Sequence, residues 1–336
     1  MRSAGRHQAF VPAIISITFL VALCWSLRQA WTRTESDFPS YYTAAHLVLD
    51  RQPLREFYDM ARFQQHLDPL VVPARLGGYI PQTPLTMLPF LPLARFAMER
   101  AKQLWLIADI AFLSGTVLLL TRLTHLGVSG VLGLLLAGIG SLYTNLLLGQ
   151  YYLLVLFLLT LAMYLLEKSR DFSAGFVLGL ICSLKLITAP FILYFSWRKQ
   201  PKALGGMCTA LVFSAILAIL LFGWADVAYY LGQILPRSMA GETLDPFNPA
   251  NGTFTTLLRR LLVSEPELNA NSPLNVPALF FYVRTLFTLS ILLIWMFTFG
   301  RSKSTRQSYA GFLIALILIS STGADRRAES RSSAPA

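Results

Sequence analysis

The amino-acid sequence predicts an all-α polytopic membrane protein. Three observations carry that expectation. Hydrophobic residues make up 55% of the 336 residues and charged residues only 13%, whereas soluble domains carry roughly a quarter charged residues. The mean hydropathy is +0.55. Apolar runs close to the length of a membrane span, about 20 residues, recur at 10–31, 103–121, 128–148, 151–166, 172–196, 203–223, 276–299 and 308–320. Whole and broken segments together give a bundle of about 8–10 transmembrane pieces, interrupted by two long polar segments, 32–102 and 224–275.

The first run starts basic and apolar like a signal peptide, but its core is too long for one, so it reads as an uncleaved span. In the first polar segment, "PQTPLTMLPFLPLARF" (81–96) is apolar yet holds four prolines. About 13 residues between its polar ends would rise roughly 20 Å as a helix, short of a hydrocarbon core of about 30 Å. It reads as a juxtamembrane or re-entrant element. The run 172–196 carries Lys185 at its middle, in "LICSLKLITAPF". A lysine at the centre of a span costs about 3 kcal/mol. A broken hairpin of two half-helices with Lys185 at its tip avoids that cost, and such breaks are tolerated where they line protein or a wet cavity.

Net charge is +11, which in a soluble chain would point to nucleic acid. Here the basic residues cluster between apolar runs, in "MRSAGR", "EKSR", "WRKQPK" and "GRSKSTR". That is the positive-inside pattern, so membrane lipids and not nucleic acid are the expected surroundings. With the N-terminus inside, 32–102 and 224–275 face outside, as does the tip at Lys185. Arg95, Arg100 and Lys102 are the basic residues this scheme leaves outside. If 81–96 spanned instead, they would move inside and Gln150 with them.

The chemistry-bearing candidates fall at the expected outer boundary. "TESDFPSYYTAAHLVLD" (34–50) places one carboxylate, Asp37, beside Tyr41 and Tyr42 just past the first span. The tyrosines bring the ring faces and hydroxyls a sugar site uses, and "YYTAAHLVLD" reads as a short amphipathic helix on the membrane. Asp37 is a candidate general base for a sugar hydroxyl. The alternative is a solvated loop residue or a helix cap. In "NLLLGQYY", Asn145, Gln150, Tyr151 and Tyr152 lie at the outer ends of two spans, as a polar cavity wall or as ordinary interfacial residues. Lys185 is an intramembrane cation suited to a phosphate, or a snorkelling surface lysine. "TFTTLLRRLL" reads as an interfacial amphipathic helix whose Arg259 and Arg260 anchor it or grip a lipid phosphate. Asn251 with Thr253 matches a glycosylation pattern, read as chance. The three cysteines, Cys24, Cys182 and Cys208, lie in apolar runs with no CxxC pair. The four histidines show no metal spacing, and no GxGxxG, P-loop or DxD is present. No metal and no other cofactor is expected.

These residues resemble glycosyltransferase family 87, polyprenol-phosphate-mannose-dependent mannosyltransferases of the GT-C fold. The resemblance covers about 36–320 and rests on "DFPSYYTAA" with "FYD", on "YIPQTPLTMLPFLPL", on the block 146–193 and on "NGTFTTLLRR". In the block, glycine-glutamine, a span, basic residues, "AGxxxG" and a lysine follow in order. The resemblance implies one GT-C-like transmembrane domain over 1–320 in the plasma membrane, with an extracytoplasmic active site. It implies transfer of a hexose, mannose, from a polyprenyl-phosphate donor to a lipid or glycan acceptor without a metal. Asp37 would be the base, and Tyr41, Tyr42, Asn145, Gln150, Tyr151, Lys185, Asn251 and Arg259 would bind substrate. Two departures stand out. Gln82 replaces a second proline, and in place of a further "S-P-x-S-W-x-H-H" stretch the chain runs into a polar tail, 321–336, expected to be disordered and to mark a truncation or an altered reading frame. The competing expectations are a flippase or transporter of lipid-linked sugar and an inactive remnant.

Overall fold

A computed structural model describes residues 4–34, 37–70, 77–240, 246–247 and 253–319, with backbone alone for 4–10 and 240. Among these residues the chain is helical, with a single isolated β-bridge and no strand. The all-α polytopic class stands.

The helices follow the apolar runs to within a few residues, because a chain in hydrocarbon must satisfy its own backbone polar groups. In chain order they are α1 (Ala4–Ala30), α2 (Asp37–Leu49), α3 (Leu54–Tyr58), α4 (Met60–Leu67), α5 (Met98–Thr124), α6 (Val128–Ala137), α7 (Ile139–Leu148) and α8 (Tyr152–Glu167). There follow α9 (Asp171–Leu184), α10 (Phe191–Trp197), α11 (Pro201–Phe222), α12 (Trp224–Tyr229), α13 (Leu235–Ala240), α14 (Phe254–Leu262), α15 (Pro277–Thr298) and α16 (Thr305–Ile319). By length and composition α1, α5, α11 and α15 can each cross a membrane alone. The pair α6–α7 qualifies as one span but is bent by 74°. The bend falls at Gly138, with Gly140 close behind, and each glycine in a helix costs about 1 kcal/mol relative to alanine. The apolar helices α8, α9 and α16 are shorter, as is the stretch Leu186–Trp197. The expected 8–10 pieces thus divide into long spans and half-spans. On α15, Phe281, Tyr282, Leu286 and Leu293 are exposed, a surface suited to lipid and not to water.

The break at Lys185 is present. Helix α9 ends at Leu184, Lys185 is extended (φ −156°, ψ 123°), a 3-10 turn covers Leu186–Thr188, and α10 starts at Phe191. Against α9 lies α11, and small residues set the spacing. A β-carbon on Gly175 would stand 1.8 Å from the Ala203 carbonyl oxygen, and one on Gly206 2.0 Å from that of Phe172. Close backbone approach through small residues is the usual way apolar helices pack in a membrane.

The apolar proline-rich stretch is no helix. It runs as turns with two 3-10 turns, Leu88–Phe90 and Leu93–Arg95. The Thr83 hydroxyl donates to the carbonyl of Ser183 at 2.5 Å and the Thr86 hydroxyl to that of Leu184 at 2.6 Å. The element therefore caps the end of α9, whose last carbonyls have no helical partner.

Helix α2 differs from the expected surface helix. Phe38, Pro39, Tyr41, Tyr42, Thr43, Ala44, Ala45 and Leu47 are all buried, so it is enclosed on most sides. Its small residues let neighbours close around it, with Phe90 and Trp105 in the same core.

The two ends of the bundle differ in charge. At one end Arg306 donates to Glu167 at 2.9 Å and to the Leu123 carbonyl, and Arg198 donates to the carbonyls of Gly300 (3.3 Å) and Ser302 (2.5 Å). The basic clusters around 167–170, 198–202 and 301–306 therefore gather together. Helix α1 runs alongside α6 and α7, with Ile15 beside Gly133 and Trp25 stacked on Tyr143 at 5.1 Å, so its N-terminus points to that basic end. At the other end the two long polar segments touch. Asp226 accepts from the Leu54 amide at 2.7 Å and pairs with Arg55 at 3.3 Å, and the rings of Tyr58 and Tyr230 lie 5.6 Å apart.

Candidate active site

Asp37 opens α2, where a carboxylate suits the positive end of the helix dipole. Helix α7 ends in Gly149, the left-handed residue that closes many helices (φ 65°). That turn aims Gln150 across the interface, and its amide Nε2 donates to Asp37 Oδ2 at 2.5 Å. The Gln150 backbone is itself held, its N–H donating to the Asn145 carbonyl at 3.1 Å. Asp37 is half-buried, and this bond fixes its carboxylate.

Asn145 serves the turn and not an open wall. Its Oδ1 accepts from the Tyr152 amide at 3.2 Å, and its buried Nδ2 has no hydrogen-bond partner. Tyr151 is buried and its hydroxyl donates to Gln82 Oε1 at 2.8 Å. The Tyr58 hydroxyl donates to the Gln82 backbone carbonyl at 2.9 Å. Gln82, noticed in the sequence only as a departure from the family pattern, is thus a junction between the first polar segment and the α7–α8 turn.

Lys185 reaches the same cluster. Its Nζ donates to the Tyr152 hydroxyl at 2.5 Å and lies 4.1 Å from the centroid of that ring. The rings of Tyr151 and Tyr152 are 5.4 Å apart, as are those of Tyr41 and Tyr151. A path of direct contacts therefore joins Asp37, Gln150, Tyr151, Tyr152 and Lys185 at the end of the bundle opposite the basic clusters.

Other candidates are placed elsewhere. Tyr41 and Tyr42 are each only 3% exposed and are no cavity wall. Tyr41 stacks on Phe90 at 4.8 Å, and the Tyr42 hydroxyl donates to the Phe96 carbonyl at 2.7 Å. Aromatic residues serve cores and sugar sites equally well, and here packing took them. Burial raises the phenol pKa values of Tyr41, Tyr58 and Tyr79, and the protonated hydroxyls of Tyr58 and Tyr79 donate to the carbonyls of Gln82 and Thr83. Asp59 caps α4, accepting from the amides of Ala61 (3.0 Å) and Arg62 (3.1 Å). Arg259 lies on α14, which Thr253 caps, and its guanidinium stands 5.1 Å from the Phe280 ring on α15. Asn251 lies outside the described residues.

The sequence reading passed over Lys102, Asp109 and Trp105, all buried. By sequence Lys102 is grouped with Arg95 and Arg100 as basic residues left outside. The signal available was its spacing of seven from Asp109, two helical turns on one face, which sets an acid and a base together in an apolar helix.

Glycosyltransferase family 87 matches residues 82–321. The chain belongs to this family. No curated protein and no solved structure matches it. As a family 87 member it is a membrane glycosyltransferase, which takes a sugar donor and an acceptor in the membrane. The match begins at Gln82 and includes Gln150, Tyr152 and Lys185. Asp37 precedes it and joins the family region through the bond to Gln150.

Proposed function

We propose that this family 87 glycosyltransferase is a metal-independent enzyme that moves a hexose, mannose, from a polyprenyl-phosphate donor to a hydroxyl of a lipid or glycan acceptor. The observation that carries the reading is the 2.5 Å bond between Gln150 and Asp37, on a path of contacts that ends at Lys185. A carboxylate for the acceptor and a cation for the donor's phosphate stand at one end of one bundle, as two groups serving one substrate pair must.

In this reading Asp37 takes the proton of the acceptor hydroxyl as that oxygen bonds to the sugar's anomeric carbon. The bond from that carbon to the phosphate oxygen breaks, and the electron pair leaves with the polyprenyl phosphate. Attack opposite the leaving group inverts the anomeric centre. Lys185, a compact cation, stabilises the departing phosphate, with Arg259 on α14 as a second cation. Gln150, oriented by Asn145, keeps the carboxylate aimed. Tyr152 lines the donor side, while Tyr41, Tyr42 and Tyr151 form the scaffold behind. The site faces the extracytoplasmic side of the plasma membrane, because the basic clusters gather at the opposite end.

The test is transfer of radiolabelled mannose from its polyprenyl phosphate to a membrane acceptor by the purified, reconstituted chain. Label appearing in a new glycolipid or glycan supports the reading. Movement of the intact lipid-linked sugar between leaflets without transfer contradicts it and favours a flippase.

A further inference from the structure

A second charged group stands behind Asp37. Lys102, near the start of α5, is 0% exposed. A buried ammonium persists only where other groups hold it. Its Nζ donates to the Leu147 carbonyl at 3.0 Å, in the last turn of α7, where carbonyls lack helical partners and the dipole favours a cation. The same Nζ lies 5.5 Å from the centroid of the Phe38 ring. A β-carbon on Gly149 would stand 2.5 Å from Lys102 Nζ and 2.8 Å from the Phe38 Cβ. Phe38 follows Asp37 in the chain, and Gly149 precedes Gln150. One ammonium thus presses on both strands of chain that meet in the Asp37–Gln150 hydrogen bond, from its buried side.

Burial works against the charge of Lys102, and the carboxylates of Asp109 and Asp37 work for it. Asp109 is fully buried, and neither of its carboxylate oxygens has a hydrogen-bond partner. The phenols of Tyr41, on α2, and Tyr151, at the start of α8, also lie within the electrostatic reach of Asp37. Neither is charged at neutral pH.

We propose that Lys102 is a positioning residue of the transfer site, whose buried ammonium fixes the turn carrying Gln150 and stabilises the ionised carboxylate of Asp37. Its effect on rate rests on the reading of Asp37 as base, while its effect on the charge of Asp37 does not.

The experiment uses the full chain and separates the two. Asp109→Asn accompanies each Lys102 substitution, so that no lone buried carboxylate remains. Lys102→Gln keeps a donor for Leu147 and loses the charge; Lys102→Met loses both. Isotope-edited infrared titration follows the carboxylate band that Asp37→Asn removes. Losing a nearby positive charge disfavours the carboxylate, so its midpoint should rise by about 1 pH unit or more in both double variants. With radiolabelled polyprenyl-phosphate mannose as probe, kcat at neutral pH should fall about 10-fold through the lost positioning, the acid limb of its pH profile should move up with the infrared midpoint, and donor KM should change less than about 2-fold. Double variants that fold and keep the wild-type midpoint overturn the inference. So does failure of both to fold, which would make Lys102 a residue of the bundle and not of the site. Full activity in Asp37→Asn would sink the base reading alone, and the infrared midpoint would still decide the role of Lys102.

Discussion

The bond between Gln150 and Asp37 joins two residues 113 positions apart, and everything proposed for the site depends on it. A hydrogen bond to a charged group contributes about 1.5–3 kcal/mol. Gln150→Ala should therefore lower kcat about 10- to 100-fold if that energy is spent holding the base, while donor binding stays near wild type. Lys185 invites the complementary measurement. Lys185→Ala removes the cation and should weaken binding of the polyprenyl-phosphate sugar about 10-fold or more, the scale of a charge-assisted contact. Tyr152→Phe keeps the ring under the ammonium and loses only the hydroxyl, so it should weaken binding less than about 3-fold. Equal effects of the two substitutions would show that the hydroxyl, and not the charge, matters. At this scale legibility was uneven. A lysine alone in an apolar run announces itself by its cost, and Asp37 by its isolation. Tyr41 and Tyr42 could not be told from core aromatics, because the same ring surface serves both purposes. Lys102 was hidden because sequence reveals the sign of a charge but not its burial.

Among the elements, the contact between α9 and α11 is the tightest, and it holds the half-helix that presents Lys185. Neither Gly175 nor Gly206 has room for a methyl group, since each would meet the backbone of the opposite helix. Gly175→Ala and Gly206→Ala should each destabilise the chain by about 1–3 kcal/mol, the range for overpacking. Thermal unfolding in detergent would detect this, with Gly205→Ala as a control because no atom lies near its β-carbon position. Unchanged melting in Gly175→Ala would mean that α9 and α11 sit farther apart. The break of the hairpin at Lys185 was readable because a central charge and basic flanks conflict in a straight span. The bend at Gly138 was not, because glycine is common in straight membrane helices too, and the angle depends on packing, with α1 against both arms and α5 against α6. The fate of α2 was likewise set by its neighbours: "YYTAAHLVL" has small and aromatic residues that suit an interface or a core, and burial decided for the core.

For the whole molecule, the sorting of charge predicts orientation. Segments 32–102 and 224–275 meet through Asp226 at one end, and the basic clusters gather at the other. In a background lacking Cys24, Cys182 and Cys208, Asp50→Cys and Asn271→Cys should react with an impermeant thiol reagent on intact cells. Lys199→Cys and Lys303→Cys should react only after permeabilisation; all four positions are exposed in the fold. Labelling of one outer position without the other would break the orientation. That architecture was largely legible beforehand, because apolar length and basic flanks are imposed by the bilayer and act without knowledge of the packing. The central claim is that this end of the molecule houses a transferase site whose base is Asp37. Asp37→Asn tests it most directly, since the amide keeps the size and loses the proton acceptor. With radiolabelled polyprenyl-phosphate mannose as donor, transfer should fall by about 100-fold or more while the donor still binds within a few-fold of wild type. A variant that transfers at close to the wild-type rate would contradict the account and leave Asp37 as the cap of a buried helix.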